Sequence, residues 1–569
     1  MDSPEGCGGS PWKRSFGLLL WGMGPKRRQK LKLTKLSTEV EHFIASEEGF
    51  AKTFFCFKIS CMDPQQVNYN YCKGLTTTPL PPNTRVLVTG ANGYVAQRLI
   101  PELVERGYYV RCMVQNKYVP FVLKHPRIEL VYADCLNKDE LEPALQDIEI
   151  AYYLIHSMKA KKSQFAEKDK TLAQNFVNVA EKCAVKKIIY LGGLGETDSR
   201  LSSHLKSRKE VGEILSNSSI TVICLRAAII IGTGSISYEL LKSMVLNNRW
   251  IPFLKDFNNL CQCIAIRDVI KYLVGVMETP DLETREYHIG GKDVLAYKDM
   301  ILRMASILDK KVKLFDVFWF PLPVSVSCKI YAFWLHFFVS VPVNIISLLL
   351  DSLKCDVVCH NHDIVKIIPF EPLGFDSAVK FAVEREKKSQ VFSHWAEVPP
   401  DKMKDLMPLC EYESAKFFVE EHSIEISASP SQVFKLVIQI GGEQGWSQGN
   451  NLWRIRGSID RLFGGVGLQR GRRDPAHLRV GDSLDFWRVE KLEPDKELLL
   501  RAELISPGLS WLQFQLEPVS NQSTKLTLKA HFIPKPFWGQ LYWFFMSKFH
   551  TYIFTGMLAH FHQEASRVN

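Results

Sequence analysis

Arg85-Val86-Leu87-Val88-Thr89-Gly90-Ala91-Asn92-Gly93-Tyr94-Val95-Ala96 is the stretch from which the fold is read. Val86, Leu87 and Val88 form the short apolar run that a buried parallel strand needs. Thr89 to Gly93 then turns. Tyr94 to Arg106 predicts a helix, with Val95, Leu99 and Leu103 on one face and Ile100 and Val104 beside it. Strand, glycine turn and helix in this order is how a dinucleotide fold receives pyrophosphate. The first glycine lets the backbone bend, the second lets it approach phosphate, and the N–H groups of the helix start face the negative charge. A glycine pair alone is a weak signal; the flanking strand and helix give it meaning.

Further strand-like runs follow at Tyr108–Val114, Ile128–Ala133, Ile148–Ile155, Lys187–Leu191 and Ile220–Ile231, separated by helical patterns at about Gln164–Cys183 and Leu205–Leu215. Strands alternating with helices predict an α/β doubly wound parallel sheet, with ligands at the carboxyl ends of its strands.

At 569 residues the chain has room for two or three domains. The expected division is an N-terminal extension (1–82, largely disordered), a nucleotide-binding domain (83–386, with an apolar segment at 316–350), a linker (387–410) and a second domain (411–569). The net charge of +10 is uneven: Lys13, Arg14 and Lys26 to Lys35 supply a basic start with few acids, so nucleic acid is not needed to explain it. That start fits a mitochondrial transit segment or, the preferred reading, a disordered extension; no secretory signal is recognisable. Fourteen scattered cysteines read as reduced thiols in an intracellular protein, cytoplasmic or mitochondrial. Cys355, Cys359, His360 and His362 are the one ligand-like cluster; their spacing matches no zinc motif, and no metal is expected.

Tyr331–Leu350 carries no formal charge and is long enough to span a bilayer, but Pro342 and His336 interrupt it. A buried or membrane-surface element is expected in preference to a span, which leaves room for peripheral membrane contact. In the second domain Ser423–Ser427 alternates as a half-buried strand. Pro430–Ile438 reads as a helix, Leu484–Leu492, Glu497–Ile505, Trp511–Val519 and Lys525–Ile533 as strands, and Phe537–Ala565 as a long terminal helix. The basic turn Gln469–Arg473 is read as a solvated loop in preference to one that faces an anionic group.

These motifs resemble the atypical short-chain dehydrogenase/reductases, in their NmrA-like and extended branch. Thr89-Gly90-x-x-Gly93-x-x-Ala96 stands at the glycine motif, Asp134 at the acid after the third strand, and Leu225-Arg226, Gly232-x-Gly234, Asp268-Val269 and Tyr287–Gly291 at later landmarks. Tyr152–Met158, Tyr190–Gly195 and His204–Gly212 are similar to a mostly bacterial two-domain group that joins such a domain to a START-like, polyketide-cyclase-like helix-grip domain of α+β class. The resemblance implies an NAD(P) site formed by Gly90, Asn92, Gly93, Tyr94, Val95, Arg111, Asp134, Cys135, His156 and Ser157. No acid follows the second strand where NAD-preferring folds place one, so Arg111 or Lys117 is free to pair a 2′-phosphate and NADP is preferred to NAD.

The family's Tyr-x-x-x-Lys pair is replaced by His204-x-x-x-Arg208. Histidine can donate a proton near neutral pH, and arginine can hold a ribose while staying charged. His204 could equally open a helix with Arg208 solvated. Two functions follow: an NADPH-dependent reductase of an apolar carbonyl or quinone-type substrate, with His204 and Arg208 as its catalytic pair, or a nucleotide-dependent redox sensor or assembly protein that binds a lipid or partner.

Overall fold

The computed structural model describes residues 70–115, 123–155, 165–195, 202–253, 255–316, 324–336, 338–339, 341, 343–397, 408–412, 417–468, 471–475 and 477–568. All the described residues fall within one compact unit, Asn68–Asn569.

The apolar run Val86–Val88 is completely buried, because it lies in the middle of a seven-stranded sheet. The strands are β1 (Arg85–Thr89), β2 (Tyr109–Val114), β3 (Ile128–Tyr132), β4 (Ile150–Tyr153), β5 (Lys187–Gly193), β6 (Thr221–Ala227) and β7 (Arg285–Ile289), in spatial order 7-6-5-4-1-2-3. Every pairing is parallel. The order reverses at β1, which pairs with β2 on one side and β4 on the other, so a crevice opens at its carboxyl end. The Thr89 hydroxyl joins the two strands there, donating to the Tyr152 carbonyl and accepting from the Leu154 N–H, each at 3.0 Å. Helices α1 (Ala96–Glu105), α2 (Lys138–Leu145), α3 (Phe165–Lys182) and α4 (Ser203–Ser216) connect the strands. On α1, Leu99, Ile100 and Leu103 have no exposure. The predicted sixth strand ends early at Ala227; Ile230–Ile231 pairs with Ile264–Ala265 instead.

The expectation of a loose extension to residue 82 fails for its last part. The Tyr71 and Cys72 N–H groups donate to the buried Glu102 carboxylate at 2.7 and 3.1 Å. Thr77 donates to Glu278, which also takes hydrogen bonds from Arg106 and, at 2.6 Å, from the Tyr108 hydroxyl. Buried carboxylates need donors, and this segment supplies them.

The apolar segment forms two helices, Val324–His336 and Val343–Asp351. Tyr331, Leu335, Ile345 and Ile346 are buried in a core with Tyr238, Met300 and Phe375, and the Tyr331 hydroxyl donates to the Pro252 carbonyl at 3.0 Å. These side chains are thus part of the domain core, while Ile330 and Phe333 on the first of the two helices are exposed; among the described residues no helix is long and apolar enough to cross a membrane.

The described start of the linker, up to residue 397, is packed. Val391, Phe392, Ser393 and Ala396 are buried. Arg473, paired with Asp482, donates to the Val391 carbonyl at 2.8 Å, and Arg488, paired with Glu503, donates to that of Ala396 at 2.8 Å. Arg473 thus corrects the expectation of a solvated basic turn: its guanidinium is buried because a carboxylate and a carbonyl meet it.

The second domain is a six-stranded antiparallel sheet. Its strands are β8 (Phe418–Ile426), β9 (Ser483–Leu484), β10 (Trp487–Glu493), β11 (Glu497–Ala502), β12 (Gly508–Ser520) and β13 (Ser523–Pro534), in order 8-13-12-11-10-9. A 31-residue helix, Trp538–Val568, packs on it through Phe554, Met557, Leu558 and Phe561. Trp446, Trp453, Phe486 and Trp487 fill the interior. The helix Asn450–Leu462 was not expected. Its buried face is Trp453, Gly457, Asp460 and Arg461, while Ile455, Ile459 and Leu462 point outward, the reverse of the usual pattern.

Glu278 is the test of how the first domain is held. Glu278→Ala strands the Arg106 charge and the Tyr108 hydroxyl, and should lower unfolding free energy in urea by about 3 kcal/mol. Glu371→Ala, which removes an exposed ion pair with Lys292, should leave the urea midpoint unchanged.

Candidate functional site

The turn after β1 is built by close approach. Gly90 has φ +61°, and a Cβ there would sit 3.2 Å from the Leu154 carbonyl oxygen. The Gly93 N–H donates to the Gly90 carbonyl at 2.7 Å, so a Cβ on Gly93 would lie 3.0 Å from that oxygen. The helix predicted from Tyr94 begins at Ala96, because Gly93 and Tyr94 still belong to the turn. Gln97 pins the turn by donating to the Ala91 carbonyl at 2.9 Å. Helix α1 has no side-chain cap and no acid in its first turn. The N–H groups of Asn92 and Val95 have no acceptor among the described residues. A positive helix start with open donors is an anion site, and the missing Cβ atoms leave room for it.

Other strand ends complete the edge. After β3, the Asp134 carboxylate accepts from Gln115 at 2.8 Å and from the Leu136 N–H at 3.0 Å. Cys135 faces the core, where burial pushes its thiol pKa up, and its carbonyl accepts from Asn175 at 3.0 Å. His156, Ser157 and Lys117 lie outside the described residues.

Arg111 is a correction. Its guanidinium pairs with Glu129 at 2.8 Å and donates to the Gln146 carbonyl at 2.7 Å, just past the end of α2. That point precedes β4, so Arg111 serves the amino edge and is turned away from any 2′-phosphate at the carboxyl edge. A cleft of about 360 Å³ beside it, lined by Arg85, Tyr109 and Arg127, shares that location.

At the end of β5, the buried Arg226 donates to the carbonyls of Gly193 and Gly195 at 2.8 and 2.9 Å and pairs with Glu286 at 2.8 Å, fixing the exit loop. Helix α4 starts beside it; Ser202 caps it by accepting from the Leu205 N–H at 3.2 Å. A Cβ on Gly193 would lie 2.7 Å from Leu205, so the glycine lets α4 come close. His204 is in the first turn of α4, partly buried, and burial followed by the nearby Arg208 charge pushes its pKa from 6.5 down to about 3. The expectation that His204 donates a proton as an imidazolium at neutral pH is corrected accordingly: the ring is neutral there. The Arg208 carbonyl accepts from the Tyr190 hydroxyl at 3.0 Å. Its guanidinium has no hydrogen-bond or ion-pair partner among the described residues.

One residue escaped the sequence reading. Arg98, on α1, has no exposure. It stacks over the Tyr94 ring at 3.9 Å and donates to the carbonyls of Tyr94 (3.1 Å), Thr233 (2.8 Å) and Ser393 (3.2 Å) and to the Ser393 hydroxyl. It ties the glycine turn to the Gly232–Gly234 loop and the linker. Gly234, at φ +75°, admits that linker: a Cβ would lie 2.4 Å from the Ser393 carbonyl oxygen. The signal for it was a charge beside the apolar face of a predicted helix.

Comparison with known proteins decides the nature of this half. Residues 90–244 match the family described as "NAD(P)H-binding". This is an NAD(P)H-binding domain. Residues 415–557 match a family described as "Protein of unknown function (DUF2867)". The photosystem II assembly factor Ycf39 of Trieres chinensis is 22% identical over 36% of this chain and 64% of its own length. Dihydroflavonol 4-reductase of Callistephus chinensis is 30% identical over 19% of this chain and 34% of its own. The chain thus spans less than two thirds of the length of these curated relatives. The UDP-glucose 4-epimerase structure from Thermotoga maritima aligns with 54% of this chain and 99% of its own at a TM-score of 0.42 and 13% identity.

If the turn cradles pyrophosphate, a side chain at position 93 should exclude it. Fluorescence titration with NADPH and NADH should give saturable binding for the wild type. Gly93→Val should weaken it by at least about tenfold, since its Cβ occupies the phosphate approach. Equal affinity in the variant would remove the turn from the site.

Proposed function

We propose that the chain is an NAD(P)H-dependent oxidoreductase that reduces an apolar carbonyl or quinone-type substrate. The observation that carries this reading is the Arg208 guanidinium, without a hydrogen-bond or ion-pair partner among the described residues, beside a neutral His204 on the helix that follows β5. A reduced nicotinamide, when bound, would supply hydride to the substrate carbon. The carbonyl oxygen then gains negative charge. The Arg208 guanidinium is the group to stabilise it, and a neutral imidazole N–H can donate a hydrogen bond to it. The proton that completes the alcohol comes from water. His204 is thereby a donor of a hydrogen bond in place of the acid that its residue type suggested.

NADP remains the preferred cofactor because Gln115-Asn116-Lys117 offers no acid to a ribose 2′-hydroxyl. With Arg111 turned away, Lys117 is the candidate partner of the 2′-phosphate.

The second domain is proposed to be START-like and to hold an apolar ligand. The antiparallel sheet with a long helix laid against it supports this. A cavity of about 400 Å³ lies between the Gly442–Trp446 loop and the helix Asn450–Leu462. Trp453 lines it and has a buried indole N–H without an acceptor among the described residues. A ligand carbonyl would satisfy that donor.

A second reading has support in the departure from Tyr-x-x-x-Lys: a nucleotide-binding sensor or assembly protein without turnover. One relative is named as an assembly factor.

Turnover separates the two. NADPH oxidation should be seen with a panel of apolar carbonyls and quinones. His204→Ala should reduce it by about 10²-fold, the usual loss of an oxyanion donor, while His204→Gln, another neutral donor, should keep most of it. The wild-type rate should show no histidine titration from about pH 5 to about pH 8, because a ring of lowered pKa is already neutral there. NADPH binding without oxidation across the panel would favour the sensor. For the ligand, mass spectrometry of solvent extracts should find an apolar carbonyl compound with the wild-type chain. Its yield should fall in Trp453→Phe, and an empty wild-type extract would count against a ligand in this domain.

A further inference from the structure

The first half of the terminal helix is apolar on both sides. Its inner face packs inward through Trp543, which stacks on Phe532 at 5.4 Å, and through Phe554. Its outer face should be polar, yet Trp538, Leu541, Phe545, Phe549 and Tyr552, spaced three or four apart on one stripe, are each 42–67% exposed. The second half of the same helix is ordinary, with Thr555, His560, His562 and Gln563 facing out. A helix that is hydrophobic all round belongs in a core or against lipid.

The helix Asn450–Leu462 adjoins this stripe. Its start meets the terminal helix, where Gln448 donates to the Tyr552 hydroxyl at 2.9 Å. Its middle reaches the other end, where Arg456 donates to the Ile505 carbonyl at 2.7 Å and the Pro507 carbonyl approaches Gly539. It too exposes apolar residues, Ile455, Ile459 and Leu462, at 47–62%. Single exposed leucines need no explanation, but two neighbouring helices with apolar outer faces do.

The charges decide what covers them. No Asp or Glu occurs from Lys535 to Gln563. The only acid of the shorter helix, Asp460, is buried and accepts from the Gly467 and Ile505 N–H groups at 2.9 and 2.6 Å. The flanking charges are Lys535, Lys548, Arg454 and Arg456, and Lys548 lies with its ammonium 5.8 Å from the Phe544 ring centroid, an apolar stem with a charged tip. Aromatic side chains flanked by basic ones with no exposed acid match the boundary between acyl chains and anionic headgroups. A protein partner would be expected to meet a rim of mixed sign.

We infer that these two helices form a docking surface for an anionic phospholipid bilayer, on which the protein lies without crossing it. This surface is distinct from the apolar helices Val324–His336 and Val343–Asp351, whose Tyr331, Leu335, Ile345 and Ile346 are buried in the core of the first domain. The inference does not depend on the reductase reading, since vesicle binding needs neither cofactor nor substrate.

Flotation of the full chain with vesicles tests it. Phosphatidylcholine vesicles containing about one third phosphatidylserine should carry the wild type upward, and pure phosphatidylcholine should carry much less. The triple variant Trp538→Ser, Phe545→Ser, Phe549→Ser should bind at least about tenfold more weakly, with its circular dichroism and urea midpoint unchanged because these side chains face solvent. Lys548→Glu should lower binding to the anionic vesicles alone. No flotation of the wild type with anionic vesicles would overturn the inference. So would a wild-type dimer in light scattering that the triple variant converts to monomer, which would assign the face to a second copy of the chain.

Discussion

A side chain at position 90 would have to share space with the carbonyl oxygen of Leu154, 3.2 Å away. That close approach, between the end of β1 and the end of the strand beside it, organises the first domain. It forces a left-handed turn and lays α1 back over the sheet. The unpaired start of α1 is left at the crevice where the strand order reverses. Thr89 fixes the strand spacing from below, and Gln97 and Arg98 fix the turn from the helix side. Because Arg98 also reaches Thr233 and Ser393, the geometry of the turn is coupled to the linker. Arg473 and Arg488 hold that linker from the second domain. Three buried guanidinium groups thus replace loose linker contacts with directional ones, and each is matched by carbonyls or carboxylates as burial requires.

The same low-polarity interior sets the chemistry at the end of β5. Burial and the neighbouring Arg208 charge act in the same direction on His204, both disfavouring its cation. Burial and then the Arg208 charge make this histidine less basic. The pair therefore offers a fixed positive charge and a neutral donor, a different toolkit from proton relay through a phenol.

The second domain departs from a simple container. Its interior between sheet and helix is filled by tryptophan and phenylalanine side chains, and its open volume is displaced to the side of the helix Asn450–Leu462. That helix buries polar Asp460 and Arg461 inward and shows isoleucine and leucine outward. The inversion is stable because Asp460 is met by two backbone N–H groups.

The sequence by itself determined the doubly wound sheet. Each strand is an apolar run bounded by a turn, and the periodic helices between them leave one arrangement. It located the glycine turn after β1 for the same reason: local spacing encodes it. It placed β11, β12, β13 and the long helix of the second domain to within a few residues, because alternation is a local pattern, but β8 begins at Phe418, ahead of the expected Ser423, and the run Leu484–Leu492 is the hairpin of β9 and β10. Only the tertiary structure decided that Arg111 faces the amino edge, since that depends on where the end of α2 comes to rest. Only it decided that His204 is neutral, because a pKa reports surroundings and not residue type. The role of Arg98, the packing of Tyr71 and Cys72 against Glu102, and the outward faces of the two apolar helices were likewise hidden. Each is set by partners 30 or more residues away in the chain, or by solvent, and no local period records them.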